Sequence, residues 1–137
     1  MGADADIVRR LTEEAFIAGK VEVVDQLLAD DFVDHDPPPG LPGTKDGFRQ
    51  LAEMVTTAMS NRKMDPDEFI DTSDGRVVEN WLMTGTHTGE AFGLAPSNQE
   101  VQVRGMEIFR CEGGKVVEHW GVVDLSDVFM KAGAPPG

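Results

Sequence analysis

Apolar residues recur at helical spacing through the first half of the chain and at a spacing of two through the second half. Ile7, Leu11, Ala15 and Ala18 fall near one stripe with Val8 and Phe16 beside it, Asp4 or Asp6 can cap that helix, and Gly19 marks its end. A second short helix is predicted over VEVVDQLLADD, with Val23, Val24, Leu27 and Leu28 as its apolar side. Phe32–Asp36 reads as a short extended piece. The following PPPGLPG excludes helix and central strand and reads as a rigid loop. Thr44 caps a third helix running to about Met59, with Phe48, Leu51, Ala52, Val55 and Met59 turned inward. The polar stretch Ser60 to Pro66 ends it.

From Asp67 onward the pattern is that of strands. Glu68–Asp71 and Arg76–Thr88 flank the turn Thr72-Ser73-Asp74-Gly75. A loop covers Gly89 to Asn98, and Glu100–Cys111 is joined by Gly113-Gly114 to a last strand, Lys115 to Leu125. The tail AGAPPG reads as loose. Helices followed by strands predict an α+β fold, N-terminal helices packed on one face of a curved antiparallel sheet to make a cone with an internal pocket.

Period two puts Val116, Glu118, Trp120, Val122 and Asp124 on one face of the last strand, and Val117, His119, Gly121, Val123 and Leu125 on the other. A tryptophan beside carboxylates suits a pocket wall better than a dry core, because an unpaired buried carboxylate is costly. With Gly113-Gly114 as a two-residue turn, Glu107 opposes Trp120, Phe109 opposes Glu118 and Val103 opposes Asp124. The predicted pocket face is then Val103, Gly105, Glu107, Phe109, Glu118, Trp120 and Asp124. One residue more or fewer would turn one strand over relative to the other. Carboxylates clustered beside aromatics can be driven toward neutral pKa values, which suits general acid/base chemistry. His119 falls on the opposite face, as a surface or subunit-interface residue. His87 shares parity with Trp81 and Met83, and His35 sits between Asp34 and Asp36 before the proline loop.

Composition narrows the function. The 137 residues are expected to form a single domain, 1–137. With 25 acids against 12 bases the net charge is −13, which disfavours nucleic acid and other polyanions as partners. No apolar run approaches the roughly 20 residues of a membrane span. MGADADIVRR lacks the order of a signal peptide, so a soluble cytoplasmic protein is expected. Cys111 is the only cysteine and reads as a small buried hydrophobe. Asp34-His35-Asp36 is too local to supply a metal site, and no nucleophile elbow, phosphate loop or dinucleotide fingerprint is present. With no tyrosine, oxyanion donors are limited to His, Trp, a protonated acid, Asn or backbone.

The segments FVDHDP (32–37), GTHTG (85–89), VRGMEIFR (103–110) and GKVVEHWGVVD (114–124) resemble, in this order, the SnoaL-like polyketide cyclases of the NTF2-like (cystatin-like) superfamily. The resemblance implies an intramolecular aldol condensation without metal or cofactor. It also implies a general acid/base at the end of the last strand, which falls on Asp124. His35 and His87 match positions expected near the cavity and are candidates to stabilise an enolate. Trp120, Trp81, Glu107, Phe109, Glu118 and Met83 are the candidate substrate-binding residues, and the implied partner is a small apolar or polyketide-like substrate. Cavity shape is expected to depend on Leu41, Met54, Met83, Phe92 and Leu94. Because one such cavity hosts many activities, an isomerase, dehydratase or epoxide hydrolase, or a non-catalytic small-molecule binding module, stays open. An outer face of Val117, His119, Gly121 and Val123 with Met106 and Ile108 is too apolar for water, and with the resemblance it points to a homodimer or higher homo-oligomer.

Overall fold

The computed structural model describes residues 2–133. Helix α1 (Ala3–Arg10) runs into a π-helical stretch, Leu11–Ile17, and is followed by α2 (Val23–Leu27), β1 (Leu28–Asp34) and α3 (Lys45–Ala58). Then come β2 (Met59–Asp71), β3 (Arg76–His87), β4 (Glu100–Glu112), β5 (Lys115–Asp124) and α4 (Ser126–Lys131). The five strands form one sheet in the order β1-β5-β4-β3-β2. The β1–β5 pair is parallel and the others are antiparallel. The helices pack against one face of this sheet, as the α+β cone requires, and of the expected loose tail AGAPPG all but Ala132 and Gly133 lies outside the described residues.

Three boundaries differ from the sequence reading. The second helix stops at Leu27, and Leu28 begins a strand whose Leu28, Phe32 and Asp34 are buried. Pairing with β5 thus overrides the helical pattern of LLADD. The polar stretch after α3 is strand rather than loop: β2 begins at Met59 and shifts register against β3 twice. Arg62 makes that junction possible. Its guanidinium donates to the carbonyls of Phe16 at 2.7 Å, Ile17 at 2.9 Å and Thr56 at 3.2 Å, and to that of Met59. It thereby serves carbonyls at the end of the π-helical stretch and at the junction of α3 with β2, where intrahelical donors run out. Finally, a short helix, α4, follows β5 over Ser126–Lys131, a stretch to which the sequence reading assigned no element.

The core has two parts. One gathers Val8, Leu11, Val24, Leu28, Phe48, Val77, Phe109 and Val116 between the helices and the middle of the sheet. The other, around Met59, Trp81, Met83, Val101, Val103 and Val128, lies toward the opposite end. A cavity of about 360 Å³ lies between the sheet and α3 and touches both.

Candidate active site

Beta-strand 5 decides what faces this cavity. Gly113 and Gly114 (φ 62° and 82°) make the two-residue turn, and Glu112 opposes Lys115 and Cys111 opposes Val116, as that turn requires. The register then slips: Arg110 faces Glu118, leaving Val117 as an extra residue in β5. Val116 and His119 are both buried. Their separation of three residues is incompatible with unbroken alternation, and the bulge reconciles it. Beyond Val117 every β5 side chain is on the face opposite to that predicted.

The bulge corrects several expected placements. Glu118, Trp120 and Asp124 point away from the cavity, and His35 goes with them. Trp120 stacks on His35 with ring centroids 4.7 Å apart and carries the Arg76 guanidinium 5.5 Å from its ring. Glu118 bridges His35 Nε2 at 2.7 Å and Arg110 Nε, and these partners hold its carboxyl below the usual range. Asp124 is exposed. The side chain and backbone N–H of Ser126 lower its pKa, and it does not line the cavity. Of the named candidates, Trp81, Met83, His87, Glu107 and Phe109 line the cavity, with His119 and Gly121 joining them from β5. Met54 and Phe92 also line it, whereas Leu41 and Leu94 do not.

Inside, four side chains form a continuous chain. His119 Nδ1 lies 2.8 Å from Asp34 Oδ1 and its Nε2 lies 3.0 Å from Glu107 Oε1. The Trp81 indole N–H donates to the other Glu107 oxygen. The fold fixes each member. Asp34 pairs with His119 across the parallel β1–β5 ladder, and its carboxylate also accepts the Asp36 N–H at 3.0 Å. Phe48 meets the His119 ring edge-on at 5.4 Å, and Phe109 lies 4.8 Å away on a tilted plane. Gly105 gives the Trp81 indole its berth, since a Cβ there would sit 2.1 Å from Trp81 Cζ2. Gly121 keeps the space beside Glu107 open, for its Cβ would come 2.5 Å from Oε1.

Electrostatics follow from this geometry. Burial alone would lower the pKa of His119, but the hydrogen bonds and charges of Asp34 and Glu107 outweigh it and raise the value to about 9. At neutral pH His119 is therefore an imidazolium whose two N–H groups donate to Asp34 and Glu107. Glu79 lies at the same level of the sheet, paired with Glu107 across β3 and β4 and 2% exposed. Burial, contact with Asp67 and the charges of Asp67 and Glu107 push its pKa well up, which favours the protonated form. Thr12 donates to it from 3.0 Å. At the far end of the cavity His87 is 1% exposed; its Nδ1 accepts the Ser97 N–H at 3.4 Å.

Most of the cavity wall is apolar, formed by Phe16, Leu51, Val55, Met59, Met64 and Val103 among others. Asp36, Pro39, Phe92 and Val123 both line it and meet solvent, which places the mouth between the proline loop, the end of β5 and the Ala91–Leu94 turn. Among the described residues no group of three or more His, Cys, Asp or Glu side chains is arranged to hold a metal ion. None of the described helices is long and apolar enough to cross a membrane. Asp34, Glu79 and His119 were not singled out as catalytic or binding candidates in the sequence. Glu79 shares the parity of Trp81 and Met83 and was legible on that ground; His119 was hidden by the bulge.

The family described as SnoaL-like polyketide cyclase matches residues 6–131. Among solved structures, TsrD from Streptomyces laurentii is 20% identical with a TM-score of 0.82, 96% of each chain being covered. AclR from Streptomyces galilaeus, named as a candidate hydroxylase, is 22% identical with a TM-score of 0.82 over 97% of each chain. IdmH from Streptomyces antibioticus, named as a candidate polyketide cyclase, is 25% identical with a TM-score of 0.76, covering 96% of this chain and 99% of that one. None of the functionally curated proteins matches the sequence.

Proposed function

The chain belongs to the SnoaL-like polyketide cyclase family, and from that premise we propose that it closes a ring in a polyketide-like carbon acid by cofactor-free general acid/base catalysis, with Glu107 as the base. The observation that carries this reading is the Asp34–His119–Glu107 relay set in the wall of an apolar cavity. The Glu107 carboxylate takes a proton from a carbon next to a substrate carbonyl, and the C–H electrons move into that carbonyl as an enolate. The enolate carbon attacks a second carbonyl of the same molecule, forming the C–C bond and placing the negative charge on its oxygen. Protonated Glu107 then returns the proton to this alkoxide, so no electrons are gained or lost overall.

The other groups serve this step without entering it. His119, held by Asp34, is a positioning residue: its imidazolium aims Glu107 and offsets negative charge developing nearby. Trp81 fixes the second carboxylate oxygen. Burial favours the uncharged form of Glu79, which would not repel an enolate. The cavity folds the substrate into reactive geometry, which is where most of the acceleration of an intramolecular reaction arises.

The test is a linear poly-β-ketone carried as an N-acetylcysteamine thioester, incubated with the protein and followed by NMR for the cyclised aldol. Ring closure by the wild-type protein and its loss in Glu107→Gln support the reading. Deuterium exchange without ring closure would redirect it to an isomerase or dehydratase, and binding without either would leave a small-molecule binding module. Two further parts of the proposal concern the surroundings of the site. The outer sheet face, where Met106, Ile108 and Val122 are exposed beside Trp120, is proposed to meet a second copy of the chain in a homodimer. The protein is proposed to work in the cytoplasm.

A further inference from the structure

The relay and His87 stand at opposite ends of one cavity. Trp81, whose indole holds Glu107, and His87 share the buried face of β3 with Met83 and Gly85 between them. Six residues of strand at about 3.3 Å each separate them by a contour of roughly 20 Å. Between them the wall offers Met59, Met83, Val103 and Val128, with no charged group.

His87 is held firmly. Its backbone N–H donates to the Gln99 carbonyl at 3.0 Å and its own carbonyl accepts from Asn98 at 2.9 Å. Because Nδ1 accepts the Ser97 N–H, the ring proton of the neutral imidazole rides on Nε2. That Nε2 is buried and finds no partner among the described residues, although its ring lines the cavity. A buried donor without an acceptor is destabilising, and native folds rarely retain one without a reason. A substrate oxygen can supply the acceptor.

We propose that His87 Nε2–H donates a hydrogen bond to a carbonyl oxygen at the far end of an elongated, otherwise apolar substrate whose acidic carbon lies at Glu107. This rests on the acid/base reading for the near end, and it narrows the substrate class. Compact carbon acids would reach only one of the two polar ends. Long molecules with an apolar middle and an oxygen at each end fill both. His87 is then a specificity residue that sets length and orientation, remote from the bond-forming step.

The test uses two probes of equal length: a thirteen-carbon linear β-diketone, and the same chain with a further ketone on the penultimate carbon of its far end. Dissociation constants are measured by tryptophan quenching for the wild-type protein and for His87→Phe. One neutral hydrogen bond predicts that the wild type prefers the extra ketone by about 5-fold and that the variant loses this preference. Should the variant fail to fold, ¹⁵N-histidine NMR of the wild type replaces it. The His87 Nε2 signal then shifts more with the ketone-bearing probe than with the plain one. Equal preference in both proteins, an unmoved Nε2 signal, or failure of the wild type to bind either probe overturns the proposal. Deuterium exchange at the diketone carbon, recorded in the same samples, reports on Glu107 alone, so loss of exchange with the ketone preference intact would count against the acid/base reading and not against the anchor.

Discussion

Replacing His119 by Gln tests whether this ring is the cation of the site. In the folded protein its pKa is about 9, against 6.5 in the unfolded chain. A group whose folded pKa is raised stabilises the fold fully below the unfolded value and loses that contribution as pH rises through the folded one. The difference of 2.5 units corresponds to about 3 kcal/mol at low pH and about 2.5 kcal/mol at pH 7, falling to nearly nothing at pH 10. Burial makes the figure meaningful, since the His119 side chain is only 6% exposed and its partners Asp34 and Glu107 only 3% and 12%. Glutamine keeps some hydrogen bonding but no charge, so two buried carboxylates would face each other uncompensated. Urea unfolding of both proteins at several pH values between 6 and 10 should show a gap of roughly 3 kcal/mol at pH 6–7 that closes as pH approaches 10. Cys111, whose thiol burial pushes up to about 12, also removes stability at high pH, but it does so in both proteins and cancels in the difference. A gap that stays constant with pH would refute the imidazolium assignment.

Arg62→Met should destabilise the fold by about 3 kcal/mol and lower Tm by roughly 10 °C, because several helix-end carbonyls lose their donor; a change within about 0.5 kcal/mol in urea unfolding would contradict that role. Gly105→Ala should displace the Trp81 indole from Glu107, costing about 2 kcal/mol and shifting tryptophan emission; unaltered emission and stability would show that the berth is not needed. Glu79→Gln should be more stable than wild type at pH 7, with the gap vanishing toward pH 4, since a carboxyl whose pKa is raised by burial loses stability as pH rises; a less stable variant at pH 7 would contradict the upward shift. Val122→Asp should turn the proposed dimer into a monomer in light scattering, and a monomeric wild type would end that proposal.

The architecture was readable from the chain because its signals are local and mutually consistent. Helical stripes precede the strands, Thr44 caps α3 by accepting from Gly47, and the Thr72–Gly75 and Gly113-Gly114 turns fix which strands are neighbours. The alternation of β3 was also readable, and with it the shared face of Trp81, Met83 and His87; Glu107 and Phe109 line the cavity too, but opposite Gly121 and His119 rather than the expected Trp120 and Glu118. The β5 face was not. A single extra residue at Val117 reverses everything after it, and both parities of VVEHWGVV carry valines, so hydrophobicity could not choose between them. The deciding fact is tertiary: Asp34 comes from β1, which pairs with β5 in parallel from more than 80 residues away in sequence. Likewise LLADD carries a helical pattern, and only its place at the sheet edge makes it strand.

Solvent deuterium incorporation into the α-carbon of a β-diketone probe, compared across wild type, Glu107→Gln and Asp124→Asn, bears most directly on the site. Proton abstraction by Glu107 predicts exchange in the wild type, at least about 100-fold slower exchange in Glu107→Gln, and wild-type exchange in Asp124→Asn. Exchange that survives in Glu107→Gln and disappears in Asp124→Asn would contradict it, and would return the chemistry to the outer end of β5.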